Sequence, residues 1–154
     1  MADVLLTVGN SMMGDDGAGP LLADMLNANP VEGWLVIDGG SMPENHTHRV
    51  LAEKPGRVVV VDATDMGLKP GEIRVVDERC MAEIPFMTTH NMPVSYLIER
   101  LREQVEEVVF VGIQPAVVAF SFPMMDEVRQ AVEALYERLR TGQNLDGLEC
   151  LIPA

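Results

Sequence analysis

Four short apolar runs, each halted by a glycine or a polar side chain, constrain this fold more than any other feature. Val4-Leu5-Leu6-Thr7-Val8 stops at Gly9-Asn10, and Trp34-Leu35-Val36-Ile37 stops at Asp38-Gly39-Gly40. Val58-Val59-Val60-Val61 stops at Asp62, and residues 108–113 stop at Gln114. A strand that is apolar throughout is buried on both faces, which is the signature of a parallel sheet covered by helices. The intervening segments have helical character. Residues 20–26 carry Pro20 near a first turn, where its missing N–H costs nothing. Residues 43–53 predict a short helix. Residues 93–104 place Leu97, Ile98 and Leu101 on one face, and residues 126–140 do the same with Val128, Val132 and Leu135. Arginines gather late in the last of these, as the helix dipole favours. Residues 71–77 alternate instead of running apolar, so they predict a partly exposed edge strand. Strands alternating with helices give a single α/β domain with a twisted, mostly parallel sheet and helices on both faces, a three-layer α/β/α arrangement.

At 154 residues the chain has the length of one domain. Residues 1–140 carry the periodic pattern. Residues 141–154 contain glycines and little periodicity, which predicts a mobile tail. Net charge is −13, which argues against nucleic acid, whose phosphates require clustered Lys and Arg, and against anionic membrane surfaces. The longest apolar stretch, residues 108–125, is broken by Gln114, Pro115 and Pro123. It reads as strand, loop and second extended segment, and not as a membrane helix, which needs about 20 mostly apolar residues. Cys80 and Cys150 are far apart and in no metal-ligand spacing, as suits thiols of a reducing compartment. The N-terminus has no basic region and enters a strand pattern at once, unlike a signal peptide. A cytoplasmic monomer is the expectation.

In an open parallel sheet, ligands bind outside the carboxyl ends of the strands. Asp16, Asp38, Asp62 and Gln114 all follow strands and fall on that rim by topology. The loop Gly9-Asn10-Ser11-Met12-Met13-Gly14-Asp15-Asp16-Gly17-Ala18-Gly19 lacks both G-x-G-x-x-G spacing and a P-loop lysine. Its adjacent acids would repel a pyrophosphate. Helix capping explains one of Asp15 and Asp16 easily and two less easily. Asp62 and Asp38 could each cap a turn, and Asp65 competes with Asp62 as a functional acid. His90, in Thr88-Thr89-His90-Asn91, could be an ordinary turn residue. Taken together, two carboxylates and an imidazole make an oxygen-and-nitrogen site with open coordination positions. A triad of Ser11 or Ser41 with His90 lacks a G-x-S-x-G elbow. A metal-dependent phosphohydrolase using Asp62 and Asp65 lacks rim cations to balance phosphate charge. No H-E-x-x-H is present.

Several separated segments, in order from residue 4 to about residue 140, resemble those of the nickel–iron hydrogenase maturation endopeptidases. They are Val8-Gly9-Asn10 with Gly14-Asp15-Asp16-Gly17 and Gly19-Pro20, then Asp38-Gly39-Gly40-Ser41, Val61-Asp62-Ala63-Thr64-Asp65 and Thr88-Thr89-His90-Asn91. The resemblance implies a phosphorylase/hydrolase-like fold and removal of a C-terminal extension from a hydrogenase large-subunit precursor after nickel insertion. The nickel is then substrate-borne, with zinc or cadmium as possible surrogates. Asp16, Asp62 and His90 correspond to the family's metal-contacting residues, and Asp38 to a loop that handles substrate. His46 and His48 depart from the family pattern and are expected at the surface. A nickel chaperone or metallocentre-checking module would use the same three ligands without hydrolysis.

Overall fold

The computed structural model describes residues 3–76, 94–142, 145 and 148–150. Five strands form one sheet: β1 (Asp3–Thr7), β2 (Trp34–Asp38), β3 (Arg57–Ala63), β4 (Ile73–Val76) and β5 (Glu107–Ile113), in the order β2-β1-β3-β5-β4. The helices are α1 (Ala18–Ala28), α2 (Thr47–Ala52), α3 (Val94–Arg102) and α4 (Asp126–Arg140). Single 3-10 turns, Gly14–Gly17 and Pro43–His46, lead into α1 and α2.

The four apolar runs are the four parallel strands. Leu6 pairs with Ile37 on one side and with Val60 on the other, and Val60 pairs with Phe110. The alternating segment is β4, at the sheet edge as expected. It runs antiparallel to β5, with Val75 opposite Val111.

Alternate residues of each strand feed two cores. Leu5, Val59, Val61 and Val111 pack with Leu22 and Leu26 of α1 and Val128, Val132 and Leu135 of α4. Leu6, Val58, Val60 and Phe110 pack with Val50 of α2 and Leu97, Ile98 and Leu101 of α3. The sheet is thus covered on both faces, which is why its central strands tolerate no polar residue until they end.

Beyond Thr141, Leu145 is buried in the α1/α4 core. Val75 donates its N–H to the Glu149 carbonyl at 2.9 Å, and Cys150 bridges Val75 in parallel. Cys150 is an exposed free thiol, whereas Cys80 lies outside the described residues.

The apolar stretch 108–125 divides at Gln114. Its first part is β5. Its second part, expected to be extended, is instead an irregular arch with a turn at Phe120-Ser121, where Ser121 has φ +64°. The reason is that the backbone of the arch bonds to a side chain instead of a neighbouring strand, as described below. No helix among the described residues is long and apolar enough to cross a membrane.

Candidate active site

The strand order creates a switch point. The chain leaves β1 toward β2 on one side, and β3 and β5 lie on the other. Open α/β sheets bind ligands at such a crevice. Val8 donates its N–H to the Val61 carbonyl at 2.9 Å, so β1 and β3 stay joined until the rim. The Gly14–Gly17 turn packs against β3 at this point. It therefore carries Asp16 to the carboxyl end of β3, the strand that holds Asp62.

Two glycines permit this approach. Gly9 has φ +145°, and a Cβ there would stand 2.1 Å from the Asp16 carbonyl oxygen. Gly14 has φ +61°, and a Cβ there would stand 2.7 Å from the Val117 carbonyl oxygen. Any side chain at Gly9 would push the Asp16 turn off the strand end.

The adjacent acids divide their roles. Asp15 is fully buried. Its Oδ2 accepts the N–H groups of Ala116 and Val117 at 2.8 and 2.9 Å, and its Oδ1 accepts that of Met125 at 2.8 Å. Asp15 is the clasp of the arch. Asp16 is 2% exposed, and its Oδ2 accepts the Asn10 N–H at 2.9 Å. Neither acid caps α1, whose N-cap is Gly17 with no side-chain cap bond. Both acids do lie at the positive end of that helix.

Asp62 is fully buried at the end of β3. Its position in the alternation matches Val58 and Val60, so it belongs to the face covered by α2 and α3. Asp38 differs. It is exposed, its register partner is Thr7, and its Oδ1 accepts the Thr7 hydroxyl at 3.4 Å and the Gly40 N–H at 3.0 Å. It lies on the same rim but shapes the Asp-Gly-Gly turn. Asp65 is also exposed, and its Oδ1 accepts Gly67 N–H and Gln114 Nε2, both at 3.1 Å. Gln114, buried at the end of β5, gathers that loop by accepting Met66 and Leu68 N–H groups on Oε1. Asp62 and not Asp65 is therefore the buried acid of this pair, and Gln114 is a scaffold.

His90 lies outside the described residues. Ser11 and Ser41 are exposed. His48 is exposed, and half-buried His46 meets Arg49 through Nδ1 at 3.2 Å. Both histidines belong to α2 and its leading turn, as their expected surface position requires. Among the described residues no group of three or more His, Cys, Asp or Glu forms a metal-holding cluster.

Burying a carboxylate is costly unless donors or a cation compensate it. Three N–H groups account for Asp15. Asp16 and Asp62 are two further buried carboxylates, both at the carboxyl-end rim where open α/β sheets bind ligands. Asn10, which the sequence marks only as a loop residue after β1, stands beside Asp16. It orders the loop by donating its N–H to Asp16 and accepting Met12 N–H on Oδ1 at 3.0 Å.

Residues 21–141 match the family model HycI, hydrogenase maturation protease. The chain belongs to the hydrogenase maturation proteases. It is 58% identical over 139 residues to the hydrogenase 3 maturation protease of Escherichia coli strain K12, covering 90% of this chain and 89% of that one. A crystal structure of the hydrogenase 3 maturation protease superposes with a TM-score of 0.91 at 53% identity, over 99% of this chain and 97% of that chain. The [NiFe] hydrogenase maturation protease HycI from Thermococcus kodakarensis superposes with a TM-score of 0.81 at 27% identity, over 92% of each chain. The maturation-protease fold is thus the doubly wound sheet described above, and the chain is an endopeptidase.

Proposed function

We propose that this maturation protease removes the C-terminal extension of a hydrogenase large-subunit precursor, and that nickel already carried by the precursor is its recognition element. The observation that supports this is the pair of buried carboxylates, Asp16 and Asp62, at the strand-end rim of a maturation-protease chain. A divalent ion arriving with the substrate supplies the polarisation that peptide-bond hydrolysis requires. Asp16 and Asp62, with His90 from the Thr88-Thr89-His90-Asn91 segment, present oxygen and nitrogen donors and leave positions open for the precursor's own ligands. Asp38, on the Asp-Gly-Gly turn of the same rim, guides the substrate chain. A precursor without metal cannot complete such a site, so loading is checked before cleavage. Two isolated cysteines suit a cytoplasmic setting.

The test is to incubate nickel-loaded precursor with wild type, Asp62→Asn and His90→Ala, and to weigh the products. Wild type shortens the precursor and both variants fail, while melting temperatures stay close to wild type. Nickel transferred without shortening would identify a metallocentre chaperone instead. Near wild-type cleavage by either variant would remove that residue from the site.

A further inference from the structure

We propose that the apolar crown of Met12, Phe120, Phe122 and Pro123 is the surface on which the precursor's polypeptide docks, and that the docked segment is apolar with flanking Lys or Arg. The proposal rests on the protease reading above and adds where, and by what chemistry, the substrate is held.

The chain has four phenylalanines. Phe110 is core, whereas Phe120 and Phe122 are 67% and 57% exposed on a single arch, beside Met12 at 60%. With Ser11, Ser121 and Pro123 they line a shallow groove of about 330 Å³. Large apolar side chains gathered at the surface mark interaction sites, and aromatic anchors dominate binding energy at interfaces.

The groove is rigidly built. Asp15 clasps the arch at Ala116, Val117 and Met125, and Ser121 donates its N–H to the Met12 carbonyl at 2.9 Å. Rigid surfaces lose less entropy on binding. The arch that bears the groove also touches the turn that carries Asp16. A Cβ on Gly17, the residue after Asp16, would lie 3.4 Å from Met124 Cε of the arch. The crown and Asp16 therefore stand on adjoining loops of one rim.

Charge identifies the occupant. The described rim loops, residues 8–17, 39–46, 64–72 and 114–125, hold Asp15, Asp16, Glu44, Asp65 and Glu72 against Lys69, and Glu72 is paired with Arg74 at 3.3 Å. Asp38 is the last residue of β2 and Asp62 the penultimate residue of β3. Complementary charge steers and selects partners, so a basic, apolar segment fits. A second copy of this chain, at −13, would set like charge against like.

The test compares wild type, Phe120→Ala/Phe122→Ala and the control Leu35→Ser, an exposed apolar residue in β2 away from the arch. Cleavage of nickel-loaded precursor is followed by mass spectrometry, and binding of the same precursor by calorimetry. The double variant should melt like wild type but show kcat/KM and affinity about thirtyfold lower, from two anchors of about 1 kcal/mol each. The loss should fall on KM, and the wild-type KM should rise with ionic strength. Leu35→Ser should match wild type. An unchanged KM in the double variant, or a salt-independent KM in wild type, overturns the proposal. So does a wild-type dimer that the double variant converts to monomer in sedimentation, because a second copy would then own the crown. If wild type binds precursor through Phe120 and Phe122 without shortening it, the protease reading fails while the docking surface stands.

Discussion

Asp15 and Asp16 are chemically identical neighbours, and the structure predicts opposite consequences for their loss. Asp15→Ala removes three charge-assisted acceptor contacts at 2.8, 2.9 and 2.8 Å. Hydrogen bonds to charged groups are worth about 1.5–3 kcal/mol each, which gives about 4.5–9 kcal/mol as a simple sum. Ala116 and Met125 are exposed and Val117 is half-buried, so water recovers part of this once the arch loosens. A net loss of about 3 kcal/mol follows, or roughly 6–12 °C of melting temperature for a chain of this size. Asp15→Asn keeps one acceptor oxygen, enough for Ala116 and Val117, but turns an NH₂ toward Met125. It should lose about 2 kcal/mol. Asp16→Asn retains an acceptor for the N–H of Asn10 and should cost less stability than Asp15→Ala while ending precursor cleavage. Urea melts give the stabilities. Hydrogen exchange at Ala116, Val117 and Met125 reports the arch, and mass spectrometry reports cleavage. An Asp15→Ala protein with wild-type stability and intact protection at those amides would refute the clasp. An Asp16→Asn protein that cleaves normally would refute the division of roles.

Leu22, fully buried between α1 and the sheet, should cost about 2–5 kcal/mol when replaced by Ala, read as a lower urea midpoint with an unchanged slope. Gly14→Ala forces a Cβ toward the Val117 carbonyl at a positive φ and should cost about 1–3 kcal/mol, with hydrogen exchange quickening in the arch before the rest of the molecule. Glu137 is held below the ordinary carboxylate range by the Arg140 hydrogen bond that it accepts, opposed by partial desolvation and helped by the same cation. A carboxylate whose folded pKa is depressed stabilises the protein above its unfolded pKa and loses that contribution as pH falls through the folded value. The small deficit of Glu137→Gln at neutral pH should therefore vanish in thermal melts at acid pH.

Much of the architecture is legible locally. Val58-Val59-Val60-Val61 reads as a doubly buried strand, and the strand runs on through buried Asp62 to Ala63. Pro20 sits in the first turn of α1, and the alternation around Arg74 marks an edge strand. The direction of β4 is not legible, because pairing direction depends on the connection to β5 and not on periodicity. Asp15 and Asp16 could not be separated from the sequence either. Their difference lies in N–H groups of Ala116, Val117 and Met125, a hundred residues away, and no local pattern carries such partners. The same holds for the arch, whose apolar residues suggest a strand until Asp15 takes their backbone donors. Asp62 and Asp65 read alike because both follow an apolar run. Only Ala63 and Thr64 separate buried Asp62 from Asp65 in an exposed turn that Gln114 organises.

The central claim is that the metal in the substrate completes the site built around Asp16 and Asp62. The most direct measurement is intact-mass analysis of one large-subunit precursor, prepared with and without nickel and incubated with equal wild-type enzyme. The nickel-loaded precursor should give one shortened product and the nickel-free form none. Equal shortening of both forms would contradict it.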